Sequence, residues 1–145
     1  MKRFSENKLT ILLAEDDEGH ALLIKRNLKR SGIENQIVHL RNGEEVLEYF
    51  LCNPEKKLYN HDYIILLDIK MPKIDGIEVL EKMKKSKKTQ NIPIIMITTT
   101  DNPKEIEQCY ALGCSNYIVK PIDYQNFISI VNKLGYRLEI VKTNP

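Results

Sequence analysis

Four stretches of this sequence carry side chains able to do chemistry. They are Glu15-Asp16-Asp17, a single Asp68 after an apolar run, Thr98 at the head of Thr98-Thr99-Thr100, and Lys120 before Pro121. Carboxylates brought close together repel one another and raise each other's proton affinity, which a hard cation relieves. Magnesium suits such a set, because it takes one or two carboxylates, keeps several waters and shares phosphate oxygens. A carboxylate also accepts a phosphoryl group as an aspartyl phosphate. With a hydroxyl and an ammonium beside it, the set is a phosphoryl-transfer constellation, in which positioning and charge neutralisation do most of the catalysis. Each piece also has a plainer reading. Asp68 fits a solvated turn or helix cap, Thr98 a turn, Lys120 a surface lysine, and the three acids a helix N-terminus where negative charge is favourable anyway. The choice turns on whether the chain brings the four together.

Tyr63 to Leu67 is apolar without alternation, too short for a buried helix and suited to a strand covered on both faces. Asp68 falls at its end, and Pro72 stops its continuation. Leu9 to Ala14 predicts a first strand that runs into the acids. Ala21, Ile24 and Leu28 then form a helical stripe that Gly32 closes. Gln36 to Leu40 predicts a second strand, Asn42-Gly43 a turn, and Glu44 to Leu51 a helix with Val46, Leu47, Phe50 and Leu51 inward. The polar stretch Asn53 to Asp62, with Pro54, predicts a loop. Asp75 and Glu78 make a capping-box-like start for a helix with Ile77, Leu80 and Met83 inward. Pro93 to Ile97 predicts a fourth strand, closed by the three threonines. Asn102, Pro103 and Glu105 start a fourth helix, which Gly113 ends. Asn116 to Val119 predicts a fifth strand, and Asp123 caps a last helix with Tyr124, Phe127, Ile128, Val131 and Leu134 inward.

Five strands alternating with five helices imply right-handed crossovers and a parallel sheet covered on both sides. The fold class is therefore α/β, and at this length the natural choice is a flavodoxin-like (βα)5 three-layer sandwich with a parallel five-stranded sheet of order 2-1-3-4-5. In that order the first and third strands are neighbours, and their C-terminal ends bring Glu15, Asp16 and Asp68 together. The fourth strand delivers Thr98 to the same edge and the fifth delivers Lys120. Four chemical groups at four strand ends make a stronger case than any one of them.

The 145 residues predict one domain, 1–145, with a core at 8–135 and an apolar tail at 136–145 carrying Leu138, Ile140 and Val141. No output domain fits beside it. With 42% apolar and 29% charged residues the composition is that of a soluble globular protein. Basic and acidic residues number 22 and 20, so charge makes no case for nucleic acid or membrane as partner. Lys82, Lys84, Lys85, Lys87 and Lys88 read as a solvated helix end. Cys52, Cys109 and Cys114 lack a Cys-x-x-Cys spacing, which predicts reduced thiols and a cytoplasmic location. His20, His39 and His61 are scattered without metal-ligand spacing. No apolar run approaches a membrane span, and the polar first residues carry no signal core.

Over residues 8 to 135 the chain resembles the receiver domain of two-component response regulators. The resemblance is carried by Ala14-Glu15-Asp16-Asp17, Leu67-Asp68-Ile69-Lys70-Met71-Pro72 with Asp75-Gly76, Ile97-Thr98-Thr99, and Tyr117-Ile118-Val119-Lys120-Pro121. It implies that Asp68 is the phosphoacceptor and that Asp16, Asp68 and the backbone carbonyl of Lys70 ligate Mg²⁺, with Glu15 acting through a metal-bound water. Thr98 and Lys120 would hold phosphoryl oxygens, and the Lys120–Pro121 bond would be cis. Phosphorylation would draw the Thr98 hydroxyl inward, with Tyr117 changing rotamer and remodelling the face of the fourth helix, fifth strand and fifth helix. Static packing also explains a half-buried Tyr117. The long Asn53–Asp62 segment, the apolar tail, the three threonines and Tyr110-Ala111-Leu112-Gly113 are similar to Rcp-type single-domain regulators that partner bacterial phytochromes. That similarity implies a phytochrome-like sensor histidine kinase or a histidine phosphotransfer protein as donor. It also implies a homodimer through the same face, with the tail contributing.

The function expected is a single-domain response regulator. It would be a binding module switched by phosphorylation, catalysing only its own phosphorylation and dephosphorylation and not an enzyme acting on a metabolite. An aspartate-based phosphatase wants a second acid two residues after its nucleophile, and that position is Lys70. A flavodoxin-type cofactor protein wants a Ser/Thr/Gly-rich phosphate loop where the three acids stand. A degenerate receiver serving as a phosphorylation-independent scaffold is the remaining alternative, although the site residues are all present. Lys70 and Thr100, each two residues beyond a site residue, occupy positions that in receivers tune the lifetime of the aspartyl phosphate. A cation at Lys70 pairs with the phosphoryl group and hinders the attacking water, giving a longer lifetime than in chemotaxis-type receivers. Lys70→Asn is therefore expected to speed dephosphorylation several-fold, followed as decay of the phosphorylated mass; an unchanged or slower decay removes this role.

Overall fold

A computed structural model of the chain describes residues 8–52 and 62–141. The unbroken apolar runs become the centre of one parallel sheet. Its strands are β1 (Leu9–Ala14), β2 (Ile37–Leu40), β3 (Asp62–Asp68), β4 (Ile94–Thr98) and β5 (Asn116–Val119), in the order β2-β1-β3-β4-β5. Every residue of β1 and β4 is buried, as is all of β3 beyond Asp62, because helices cover both faces. The helices are α1 (Glu18–Arg30), α2 (Gly43–Leu51), α3 (Gly76–Lys85), α4 (Pro103–Ala111) and α5 (Tyr124–Lys133).

Side chains alternate across a strand, so each central strand feeds two cores. Ile11, Leu13, Ile64, Leu66, Ile95 and Ile97 pack with Ile24 and Leu28 of α1 and Phe127 and Val131 of α5. Leu12, Ala14, Ile65, Leu67, Ile94 and Met96 pack with Val46 and Phe50 of α2, Leu80 and Met83 of α3 and Cys109 of α4. The three layers follow from this alternation.

Several details differ from the sequence pattern. Asn42-Gly43 is a helix start: the Asn42 side chain accepts from the Glu45 N–H at 2.9 Å, and Gly43 is the first residue of α2. Gly43 lies so close to Ile74 O and Val79 Cγ2 that a Cβ would come within 2.8 and 2.7 Å of them. On α3 the buried residues include Val79 with Leu80 and Met83, while Ile77 is half-buried. On α5 Ile130 joins Phe127 and Val131, and Tyr124, Ile128 and Leu134 border the core. On α2, Leu47 and Leu51 likewise border it. Thr98 closes β4 itself. Within the lysine cluster, Lys84 donates to the carbonyls of Gln90 (3.0 Å) and Ile92 (2.8 Å) and so caps the loop after α3. The loop expected at Asn53 to Asp62 lies outside the described residues, except that Asp62 opens β3.

The tail folds back on its own chain. Leu138 is buried in the α1/α5 core, Ile140 pairs antiparallel with Ile33, and the Val141 N–H donates to Gly32 O at 2.8 Å.

The approach of α3 to β3 brings this packing to the site. The Gly76 N–H donates to Ile69 O at 2.7 Å, and a Cβ at Gly76 would collide with the Asp68 carbonyl and lie 2.8 Å from Ile69 Cα. Gly76→Ala is expected to lower unfolding free energy by roughly 1–3 kcal/mol, the usual range for overpacking. Urea denaturation measures this, and an unshifted midpoint would show that the β3–α3 connection yields freely.

Candidate functional site

Parallel pairing sets the strand ends level. Ala14 lies opposite Leu40 and Leu67, Asp68 opposite Ile97, and Thr98 opposite Val119. Glu15 therefore leaves β1, Asp68 ends β3, Thr98 ends β4 and Lys120 leaves β5 along one edge. The chain turns sharply after β1 because Asp17 caps α1, accepting from the His20 N–H at 2.9 Å. That turn leaves Glu15 fully buried and Asp16 exposed.

Carboxylate oxygens of Glu15, Asp16 and Asp68 all lie within 4.8 Å of one another. Lys120 Nζ donates to Glu15 Oε1 at 3.0 Å and to Asp68 Oδ2 at 3.3 Å. The Lys70 N–H donates to Asp68 Oδ1 at 3.3 Å, while the Lys70 side chain is exposed. The Lys120–Pro121 bond is cis. With the acids ionised, Glu15 Oε2 is buried without a partner among the described residues. An unpaired buried acceptor is costly. An all-oxygen donor set with one orphaned oxygen fits a hard divalent cation with its water shell.

Burial pushes the Glu15 carboxyl up to about 8; the proton it can share with Asp68 adds to the rise, and Lys120 works against it. For Lys120, burial disfavours the ammonium, but the bonds and charges of Glu15 and Asp68 prevail and hold its pKa above the usual value. The Asp17 carboxyl is lowered by the backbone hydrogen bond from His20.

Thr98 is buried, and its Oγ1 accepts from the Thr100 N–H at 3.3 Å. Tyr117 is half-buried. Its hydroxyl donates to Thr100 O at 3.0 Å and lies 3.3 Å from Glu105 Oε1 of α4. Burial, then the Glu105 charge, raise the Tyr117 pKa. Thr100 Oγ1 in turn accepts from the N–H of Asn102, the cap of α4, at 3.3 Å. Thr100 thus joins Thr98, Tyr117 and the start of α4.

Two residues that spacing left without a role also arrive here. His20 Nδ1 lies 3.1 Å from Glu15 Oε1, and His39 Nε2 lies 2.8 Å from Glu15 O. His20 had a legible signal, since a residue in the first turn of a capped helix leans back over the helix N-terminus. His39 had none, because only the β1–β2 register puts it there. Beside Lys120 opens a cavity of about 280 Å³ lined by His20, Leu23, Asn27, Pro121 and Tyr124.

The sequence and the fold match those of known proteins. The chain matches the response regulator receiver domain family over residues 11–132, and it belongs to that family. It is 32% identical over 130 residues to the probable methanogenesis regulatory protein FilR2 of Methanothrix harundinacea, covering 90% of this chain and 83% of that protein. It is 30% identical over 132 residues to the response regulator Rcp1 of Synechocystis sp., covering 90% of each. The Mn²⁺-bound structure of Rcp1 aligns with a TM-score of 0.67 at 29% identity, covering 94% of this chain and 99% of that one. The bacteriophytochrome response regulator AtBRR aligns with a TM-score of 0.75 at 29% identity, covering 97% of this chain and 99% of that one. Membership in the family implies a histidine kinase or phosphotransfer protein as partner. Among the described residues, no helix is long and apolar enough to cross a membrane.

The buried Glu15 makes the metal-free fold pH-sensitive. Its carboxyl holds a proton to about pH 8 in the fold but releases it near its ordinary value of 4.5 when unfolded. Between these values the folded state binds more protons, so stability falls as pH rises through that window. In the presence of a chelator, the unfolding free energy is expected to be lower at pH 8 than at pH 5.5, and Glu15→Gln is expected to flatten the slope. Urea denaturation at both pH values decides, and an equal slope in the variant would assign the effect to another group.

Proposed function

We propose that the protein is a signalling switch that accepts a phosphoryl group on Asp68. The observation that carries this reading is the meeting of Asp68 with Glu15, Asp16 and the Lys120 ammonium at one sheet edge. An Asp68 oxygen attacks the phosphorus of a phosphohistidine protonated on its other ring nitrogen, the P–N bond breaks, and neutral imidazole, keeping that proton, leaves as the acyl phosphate forms. Lys120 Nζ, in contact with Asp68 Oδ2, is placed to pair with an incoming phosphoryl oxygen. The Thr98 hydroxyl, at the end of the neighbouring strand, is placed to take another. Asp16, Asp68 and the Lys70 carbonyl would hold Mg²⁺, with Glu15 acting through water, and the bound cation would neutralise phosphoryl charge.

Recruiting Thr98 Oγ1 to the phosphoryl group takes it from the Thr100 N–H. Thr100 also holds the Tyr117 hydroxyl and the cap of α4, so the change passes to α4 and β5. The added dianion biases this connected element between two arrangements. Tyr110 of α4 and Val119 of β5 are exposed, which supports a homodimer through the α4–β5–α5 face. Ile140 and Val141 of the tail are exposed as well, although the tail backbone is tied to its own chain. The likeness to Rcp1 and AtBRR, the latter described as a bacteriophytochrome response regulator, supports a phytochrome-like kinase as donor. The protein turns over no metabolite and catalyses only the gain and loss of its own phosphoryl group.

Incubation with Mg²⁺ and phosphoramidate is expected to add the mass of one phosphoryl group. The gain should be absent from Asp68→Asn and from protein treated with chelator. A folded, Mg²⁺-binding sample that gains no mass, even from purified histidine kinases, would favour a phosphorylation-independent scaffold.

A further inference from the structure

Glu15 is held from three sides. Its N–H donates to Leu40 O at 3.1 Å, its carbonyl lies 2.8 Å from His39 Nε2, and its Oε1 meets both His20 Nδ1 and Lys120 Nζ. A carbonyl oxygen only accepts, so His39 Nε2 carries a hydrogen and donates it. His20 Nδ1 lies 3.1 Å from Oε1 and 3.4 Å from Lys120 Nζ, and Lys120 Nζ donates to the same Oε1 at 3.0 Å, so ring, carboxylate and ammonium meet at one point. His39 comes from β2, opposite Leu13, and His20 from the first turn of α1. Two rings from different elements thus converge on one fully buried residue, directly before the exposed Asp16. With Oε1 engaged twice, Oε2 is the carboxylate oxygen left free.

We propose that His20 and His39 clamp Glu15 and are positioning residues of the cation site. His39 holds the backbone of the turn that carries Asp16. His20, with Lys120, holds the Glu15 carboxylate so that Oε2 faces the water shell of the cation. The clamp rests on the reading of this edge as a phosphoryl-accepting cation site. Packing does not account for His20, whose side chain is 51% exposed. A hydrogen-bonding role is a matter of atom placement, so an isosteric amide, which can donate or accept, should replace each ring. An Asn amide reaches the place of His20 Nδ1, and a Gln amide that of His39 Nε2. Groups that orient metal ligands affect cation affinity more directly than chemistry.

The test compares Mg²⁺ binding by calorimetry with phosphorylation by phosphoramidate across a Mg²⁺ series. The proteins are the full chain and its His20→Leu, His20→Asn, His39→Leu and His39→Gln variants, each checked for folding by urea denaturation. Leucine variants are expected to bind Mg²⁺ about tenfold more weakly, the lower end of the usual cost of losing such support. Asn and Gln variants should stay near the wild-type affinity, and every variant should regain the wild-type rate at saturating Mg²⁺. Leucine variants that bind as tightly as the wild type would overturn the clamp, and so would equal losses in the leucine and amide variants. A rate defect that persists at saturating Mg²⁺ would also overturn it. His20 is on the surface, so its pair of variants decides even if His39→Leu fails to fold. A wild-type chain that binds no Mg²⁺ and takes no phosphoryl group is a separate result, which removes the reading of the edge itself and the clamp with it.

Discussion

The structure depends on one electrostatic constraint: three carboxylates crowded at a sheet edge and facing a single ammonium. Glu15 is fully buried and Asp68 nearly so, yet the only side-chain cation within hydrogen-bond reach of both, among the described residues, is Lys120. Burial opposes ionisation of Glu15 most, and the shared proton and the charge of Asp68 add to it. The protein therefore carries a protonation tension at Glu15 that a hard cation or an incoming phosphoryl group rearranges. Lys120 is half-buried at the end of the sheet, where its charge is screened less than on the surface. Its two bonds lock β5 to β1 and β3.

The rest of the architecture makes that crowding tolerable. The apolar residues of β1, β3 and β4 bury enough surface on both faces to hold four strand ends level. Close backbone contact at Gly76 brings α3 directly against Asp68, which leaves no slack between the acceptor and its neighbours. On the other side of the site, Thr100 collects bonds from Thr98, Tyr117 and the α4 cap. This connected set of hydrogen bonds ties the end of β4 to β5 and to the start of α4.

Much of this was legible in the residue order. Continuous apolar runs predict β1, β3 and β4 because a strand buried on both faces needs no alternation. Asp17, Asp75, Asn102 and Asp123 announce helix starts, since their side chains satisfy N–H groups that no helix can satisfy itself. The misreadings are local. Asn42-Gly43 has turn chemistry, but Gly43 is needed where α2 meets Ile74 and Val79, so the same pair serves as cap and first turn. Val79 and Ile130 are buried beyond the expected stripes because a helix against a flat sheet buries a wider arc than one against a helix.

By itself the sequence determined the alternation of strands and helices and the placement of Glu15, Asp16, Asp68, Thr98 and Lys120 at strand ends, with the flavodoxin-like strand order the natural choice at this length. Those depend on local propensity and on the general rules of parallel sheets. Only the tertiary structure decided which oxygen of Glu15 is engaged and which is free, that Lys120 bridges Glu15 and Asp68, and that Thr100 is the junction toward α4. It alone brought His20 and His39 to Glu15 from two different elements, and folded the tail back onto Ile33. These contacts join residues far apart in the chain, at angles set by strand register and helix packing, and no spacing pattern records a register.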